Sequence, residues 1–409
     1  MIKKRHLLLA FLSLICFGIS AQNIWNKRAA VGGSKRERGI SFSISTKGYI
    51  GLGQDTLNLM LNDLWEYDPG TNSWTQKANF PGAARRDAAS FVIATKAYVG
   101  TGIDNADAFW GTPLSDFWEY NPATNTWTSK TAFPGNSGFG TYYSTGFSLL
   151  GKGYFCCGKD GPSNYSNNLW QYDPATNSWL QKTDIPGAKR YGGIAFVIGN
   201  YAYFGTGTDE NILTNDFYKY DPATNLWTTL GNFPGSGRFS GSTFVISGKG
   251  YMVFGTDGGY KDELWQYDPA LDYWFPKASF PGGARRSAGS FAIGGKGYAG
   301  AGKGLTGTRR DFWEYLPSII LGIEENASVI FSNVYPNPMT DFATIELSEK
   351  ISIENLSWEL RTIQGKLISS DNISHSTFVI NRNNLSTGIY ALNIYNKNGT
   401  IASKKIIVQ

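Results

Sequence analysis

Residues 114–135 read LSDFWEYNPATNTWTSKTAFPG. Phe117 to Tyr120 is a short aromatic-rich strand. Asn121-Pro122-Ala123-Thr124-Asn125 is turn chemistry, because Pro fixes φ and Asn tolerates the left-handed region. A second strand surrounds Trp127, and Phe133-Pro134-Gly135 ends the segment. The pattern recurs in both directions along the chain. One tryptophan returns at Trp25, Trp74, Trp127, Trp179, Trp227 and Trp274, at spacings of 47 to 53 residues. A second aromatic site returns at Trp65, Trp118, Trp170, Tyr218, Trp265 and Trp313.

Each unit supplies four short strands separated by Gly, Pro and Asn turns. They are a (Ser90–Ile93 type), b (Lys96–Thr101 type), c (Phe117–Tyr120 type) and d (around the recurring Trp). Four strands at this period make one blade of a β-propeller. The chain begins with a d-type segment, Ile24-Trp25-Asn26-Lys27, and the sixth unit stops after strand c at Tyr315-Leu316-Pro317. The N-terminal strand is therefore expected beside Phe312–Tyr315, completing the last blade and pairing both sheet edges. The repeated tryptophans are expected between blades, as core.

The unit resembles the kelch repeat and the kelch-like proteins of the galactose oxidase group. The recurring Trp, the Tyr-Asp-Pro turn and the Arg before strand a carry that resemblance across residues 22–317. One departure is visible: Gly-x-Gly (Gly51/Gly53, Gly100/Gly102, Gly205/Gly207, Gly300/Gly302) stands where kelch repeats usually have a Gly-Gly doublet. The resemblance implies an all-β fold with a six-bladed kelch-type β-propeller.

Strands that alternate in direction bring the d–a and b–c loops to one face and the a–b and c–d turns to the other. Two aligned positions stand out on the first face. Before strand a stand Arg36, Arg85, Thr141, Arg190, Arg238 and Arg285; after strand b stand Asp55, Asp104, Asp160, Asp209, Asp257 and Gly304. Directly opposed residues of an antiparallel hairpin have a constant number sum. Arg85 with Asp104, Arg190 with Asp209 and Arg238 with Asp257 all centre on the expected tight turn. Ion pairs across four a–b hairpins follow, including Arg36 with Asp55. Asp160 and Arg285 are left without partners on opposite sides of the ring.

Loop length breaks the symmetry again. From Asp104 to Trp118 is 14 residues, against 8 to 10 elsewhere, and the excess holds Phe109-Trp110. From Trp127 to Phe147 is 20 residues, against 17, with Phe139, Tyr142 and Tyr143 in the excess. Function concentrates on loops of a rigid scaffold. The expected ligand-binding set is Phe109, Trp110, Phe139, Tyr142 and Tyr143 for stacking, Asp160 to accept from ligand hydroxyls, Tyr165 from a neighbouring loop, and Arg285 for an acidic group.

Three of the five net positive charges, Lys3, Lys4 and Arg5, precede an apolar run from Leu7 to Ile19. With small residues after it, the pattern reads as a signal peptide of residues 1–21 cleaved after Ala21, too short for a membrane span. Ser13-Leu14-Ile15 before Cys16 lacks the small residue of a lipidation site. The remaining charge gives no reason to expect nucleic acid. Cys156 and Cys157 are adjacent, either two small strand-end residues or a vicinal disulfide. Only His6 and His375 occur in 409 residues. A Ser-His-Asp triad and a His-bound zinc or copper are thereby excluded from residues 22–317.

Residues 318–332 read as a linker. After them come Tyr335-Pro336-Asn337-Pro338, then Gly388-Ile389-Tyr390, then Lys404-Lys405-Ile406-Ile407-Val408. This 333–409 module resembles the type A sorting domain of the type IX secretion system. That implies a small immunoglobulin-like β-sandwich, recognition by the secretion machinery and its sortase, a Bacteroidota-type host, and a product secreted or anchored on the outer-membrane surface.

The functional expectation is a monomeric recognition module that binds a glycan or a protein through the loop face, without a cofactor or metal. Kelch propellers also include galactose oxidase and N-acetylneuraminate epimerase. Copper oxidation falls with the histidines. A sugar epimerase or lyase using Arg with Asp or Tyr is the alternative, and a raised carboxyl in a deep pocket would favour it.

Overall fold

The computed structural model describes residues 23–105, 111–135, 140–161, 164–317, 330–348, 352–362, 366–383, 385–396 and 399–409. The leader and most of the linker lie outside these. Every named element is a β-strand. Residues 23–317 form one compact unit, and the chain from Ser318 onward belongs to another.

Six four-stranded antiparallel sheets and one short three-stranded sheet make up the first unit among its described residues. Sheet 1 runs Ile40–Ile44, Lys47–Gly51, Leu64–Asp68 and Ser73–Lys77, and sheets 2 to 5 repeat that order. Sheet 6 takes Gly289–Ile293, Lys296–Gly300 and Phe312–Leu316 from the end of the unit and Ile24–Arg28 from its beginning. Trp25 lies opposite Tyr315 in that last pairing, and Asn26 opposite Glu314. Each innermost strand packs against those of two neighbouring sheets, and the sixth packs against the first. Repeated four-stranded sheets arranged this way are consistent with a propeller.

The repeat motifs each have a visible task between sheets. Tyr67, Tyr120, Tyr172 and Tyr220 of strand c donate to Asn72, Asn125, Asn177 and Asn225, whose backbones are left-handed. The same Asn oxygens accept backbone N–H groups from the preceding sheet, at Ala29, Ala78, Thr131 and Thr183. The strand-d indole then donates to that neighbour's carbonyl: Trp74 to Ala29 and Trp127 to Ala78, both at 3.0 Å. Trp25 makes the equivalent bond to Ala278, so the N-terminal strand is held as the internal ones are.

The Gly of Lys-Gly-Tyr is a close-approach position. A Cβ on Gly153 would lie 2.0 Å from the Phe91 ring of the preceding sheet, and on Gly48 2.1 Å from Phe291. Aromatic rings of strand a thereby lie flat against the next sheet's backbone. Phe91, Phe117, Phe155, Tyr172 and Trp179 form one such inter-sheet cluster.

The second unit has a three-stranded sheet (Phe331–Tyr335, Phe342–Leu347, Thr377–Asn381) and a four-stranded one (Leu367–Asn372, Ser357–Thr362, Gly388–Asn396, Gly399–Val408). Ala343, Ile345 and Ile380 of the first share a core with Leu360, Leu392, Ile394 and Ile406 of the second.

Candidate functional site

The loop face is built outward from the arginine before strand a. The hairpin register is as the number sums require: Ala89 opposes Gly100 and Arg86 opposes Ile103, so Arg85 falls opposite Asp104. The expected ion pairs nevertheless do not form. Arg36, Arg85, Arg190, Arg238 and Arg285, each 1% exposed, turn instead to the acid two residues before the strand-c aromatic. Their partners are Asp63, Asp116, Asp216, Glu263 and Asp311. Arg36 grips Asp63 with two bonds of 2.7 Å. The physical reason is the number of bonds this pose satisfies. Arg85 also donates to the Thr101 and Ala83 carbonyls and lies 4.7 Å from the Phe80 ring centroid, where Phe-Pro-Gly places it. A planar guanidinium fits a carboxylate two-pronged, and burial rewards every satisfied donor.

The aspartates after strand b cap their own loops. Asp55 accepts from Leu57 and Leu59, Asp104 from Thr112, and Asp209 from Asn211 and Ile212. Arg285, expected to be a free base, is bound to Asp311 and to the Gly282 and Ala301 carbonyls. The pairing of a lone Asp160 with a lone Arg285 across the ring is therefore corrected. Sheet 3 lacks both members of the ion pair, since Thr141 stands for the arginine and Asn168 for the acid. The Trp170 indole nitrogen, whose counterparts in sheets 1, 2, 5 and 6 donate to that acid, is buried without a partner.

One and two residues further on, the chain reaches the centre of the ring. Arg38, Asp87, Tyr143, Gly192, Ser240 and Ser287 all have φ between 52° and 64°. Their backbones form a closed cycle: each N–H donates to the carbonyl of its counterpart in the preceding sheet, and Arg38 donates to Ser287. A cavity of about 150 Å³ lies at this ring, lined by those six residues and by Ser144 and Thr145 among others. Just outside stand Glu37, Arg86, Tyr142, Tyr191, Phe239 and Arg286.

This rim has two characters. Sheets 6, 1 and 2 contribute charge. Asp87, its side chain 1% exposed, pairs with Arg38 at 3.0 Å and Arg86 at 3.5 Å. Burial raises the Asp87 carboxyl above its ordinary range, and the two arginines oppose that shift. Sheets 3, 4 and 5 contribute rings. Lys159 lies 5.9, 5.1 and 5.0 Å from the centroids of Tyr142, Tyr165 and Tyr191, and binds Glu210 at 2.5 Å. That bond holds Glu210 below the usual carboxylate range, while burial, reinforced by Glu210, pushes Tyr165 up to about 12. Tyr143 receives a hydrogen bond from Arg38 and packs on Tyr191. Glu37 Oε2, Ser240 Oγ and Arg286 Nε are buried without a hydrogen-bond partner among the described residues. Buried polar atoms normally find partners, so three without one on a single rim are unusual.

Of the expected ligand residues, Phe109, Trp110 and Phe139 lie outside the described residues. The structure brings Tyr142, Tyr143 and Tyr165 together, half-buried around Lys159 and Arg38. Asp160 sits at the base of its loop, its N–H on the Asn164 carbonyl. Of the two columns after the arginine only Tyr142 and Tyr143 were expected, and the signal of the rest was variation: Glu, Arg, Tyr, Tyr, Phe, Arg at one position of an otherwise repeated unit. Among the described residues no group of three His, Cys, Asp or Glu is placed to hold a metal.

In the second unit, the Asn337 side chain donates to the Lys405 carbonyl and accepts from the Ile407 N–H, both at 2.8 Å. Met339 continues this contact in parallel pairing with Val408. The Tyr335–Pro338 motif and the Lys404–Val408 end, distant in sequence, form one surface. Tyr390 packs inside and donates to the Ser386 carbonyl.

Residues 333–409 match the family of the secretion system C-terminal sorting domain. The chain is therefore exported through the type IX system, engages its machinery, and is secreted or attached at the outer-membrane surface. Among solved structures, one described as the structure of YjhT is similar in fold, with a TM-score of 0.61. It is 17% identical, and the match covers 72% of this chain and 97% of that one. No curated protein matches the chain.

Proposed function

We propose that residues 22–317 form a six-bladed kelch-type propeller that acts, once exported, as a recognition module for a glycan or a protein. The loop face is the ligand face. The observation that carries this reading is the rim itself, where scaffold symmetry is abandoned. Aromatic side chains gather over sheets 3 to 5, charges over sheets 6, 1 and 2, and buried polar atoms lack partners between them. Rings for stacking opposite mixed donors and acceptors suit a sugar or a peptide. Tyr142, Tyr143 and Tyr165, joined by Phe109, Trp110 and Phe139 of the long loops, supply the stacking sector. Asp160 supports its loop, and sortase processing of the 333–409 module releases or anchors the product.

A second reading, an epimerase or lyase, is favoured by one observation, the raised Asp87 carboxyl beside Arg38 and Tyr143. Two features weigh against it. Asp87 is shared by two arginines, and about 150 Å³ is small for a site that engulfs a sugar, since ligand pockets run from about 300 to 1,000 Å³. The two readings separate on a glycan array probed with the mature chain, followed by NMR of each bound sugar incubated with the protein. Retention of a ligand with its spectrum unchanged is expected. Conversion of the bound sugar into a new species would replace the binding reading with the enzymatic one.

A further inference from the structure

At the rim every sheet pairs the residue before its ring-centre position with one after strand b, and sheet 6 alone places cations at both. Arg285–Arg286 pairs with Lys303–Gly304, which turns back into Gly307–Thr308. In this register Arg286 lies directly opposite Lys303. Opposed positions bring two cationic residues to one face of this strand pair. Lys303 has a partner in Glu37, at 3.5 Å. Arg286 has none: among the described residues no carboxylate lies within ion-pair distance of it, and its Nε is buried without an acceptor. Every other arginine in the two columns before the ring centre is ion-paired. The neighbours of Arg286 are rings, with its guanidinium carbon 6.0 Å from the Phe239 centroid and 5.8 Å from that of Tyr260.

We propose that Arg286 and Lys303 form a subsite for a carboxylate whose apolar or ring-bearing body packs on Phe239 and Tyr260. Two cations and the single Glu37 carboxylate leave one positive charge, which a monoanion neutralises. The guanidinium offers the paired donors that a carboxylate takes. The flanking rings favour an apolar body over a bare ion. This rests on the loop face being the recognition face, but small probes read the subsite without the natural ligand.

The test uses the mature chain at low ionic strength, with phenylacetate, acetate and phenylacetamide titrated by NMR or calorimetry. Phenylacetate is expected to bind more tightly than acetate and at least about tenfold more tightly than the neutral amide, with affinity falling as salt rises. Arg286→Gln should weaken phenylacetate about tenfold, the loss of one charge-assisted contact, without lowering the unfolding temperature of the free protein, because the charge it removes has no ion-pair partner among the described residues. Lys303→Gln serves as a second variant with the same expected direction. Binding of the amide as tight as that of phenylacetate, no binding at all, or equal phenylacetate affinity in wild type and both variants would overturn the subsite. Failure here leaves the ligand face itself to be judged by separate variants of the rim and of the opposite face.

Discussion

Five arginines, each almost fully buried, carry their charge into the interior only because a carboxylate follows at the start of strand c. The coupling is written in the chain. Where the arginine column reads Thr141, the acid column reads Asn168, so the charges are lost together. A lone buried guanidinium is far costlier than a neutral pair. Asp116→Asn, which strands Arg85, should cost about 3–5 kcal/mol in urea unfolding. Arg85→Thr with Asp116→Asn, which rebuilds the sheet-3 combination, should cost less than the sum of the single changes by at least about 1 kcal/mol. Additive costs would show that the two side chains do not act as a pair. The sequence held this pairing, but two acid columns competed for one arginine column. Register alone could not choose between them, because opposition of backbones does not decide where a long side chain turns.

At the scale of the element, the N-terminal strand Ile24–Arg28 does the work of a fourth strand for a sheet whose other strands lie more than 260 residues away. Trp25 packs at 5.0 Å on both Phe280 and Tyr315, and Tyr315 in turn donates to Asn23. Trp25→Ala should therefore destabilise the 23–317 unit as an internal Trp74→Ala does, toward the lower end of about 3–5 kcal/mol given its partial exposure. A neutral Trp25→Ala beside a costly Trp74→Ala, measured by thermal unfolding, would mean that the ring does not depend on this strand. Such elements were legible from the chain ends and the repeat period, since each motif residue answers to a repeated contact. The rim was not legible in the same way. Its two columns carry no motif, and a residue that varies from unit to unit looks like noise until the closed cycle of backbone bonds shows that all six positions meet at one point.

At the scale of the whole molecule, two units divide the labour: the 333–409 module is an export address, and the 23–317 unit is what the address delivers. The address was readable because its two ends are short motifs, and Asn337 joins them by bonding to Lys405 and Ile407 directly. The delivered activity was readable only as a face. Aromatic insertions drew attention to sheets 2 and 3, where Phe109, Trp110 and Phe139 lie beyond the described residues, while the charged sector of sheets 6, 1 and 2 carried no comparable length signal. On the proposed reading this face, with its rim of Tyr142, Tyr191, Arg86 and Arg286, meets the ligand. This is tested most directly by measuring the affinity of the first ligand found for two variants of equal stability. One is Tyr142→Ala with Arg86→Ala on the rim, and the other is Leu150→Ala with Tyr201→Ala on the a–b turns of the opposite face. The account predicts at least about a tenfold loss for the rim variant, the loss of one or two good contacts, and wild-type affinity for the turn variant. Loss confined to the turn variant would place recognition on the other side of the ring and contradict it.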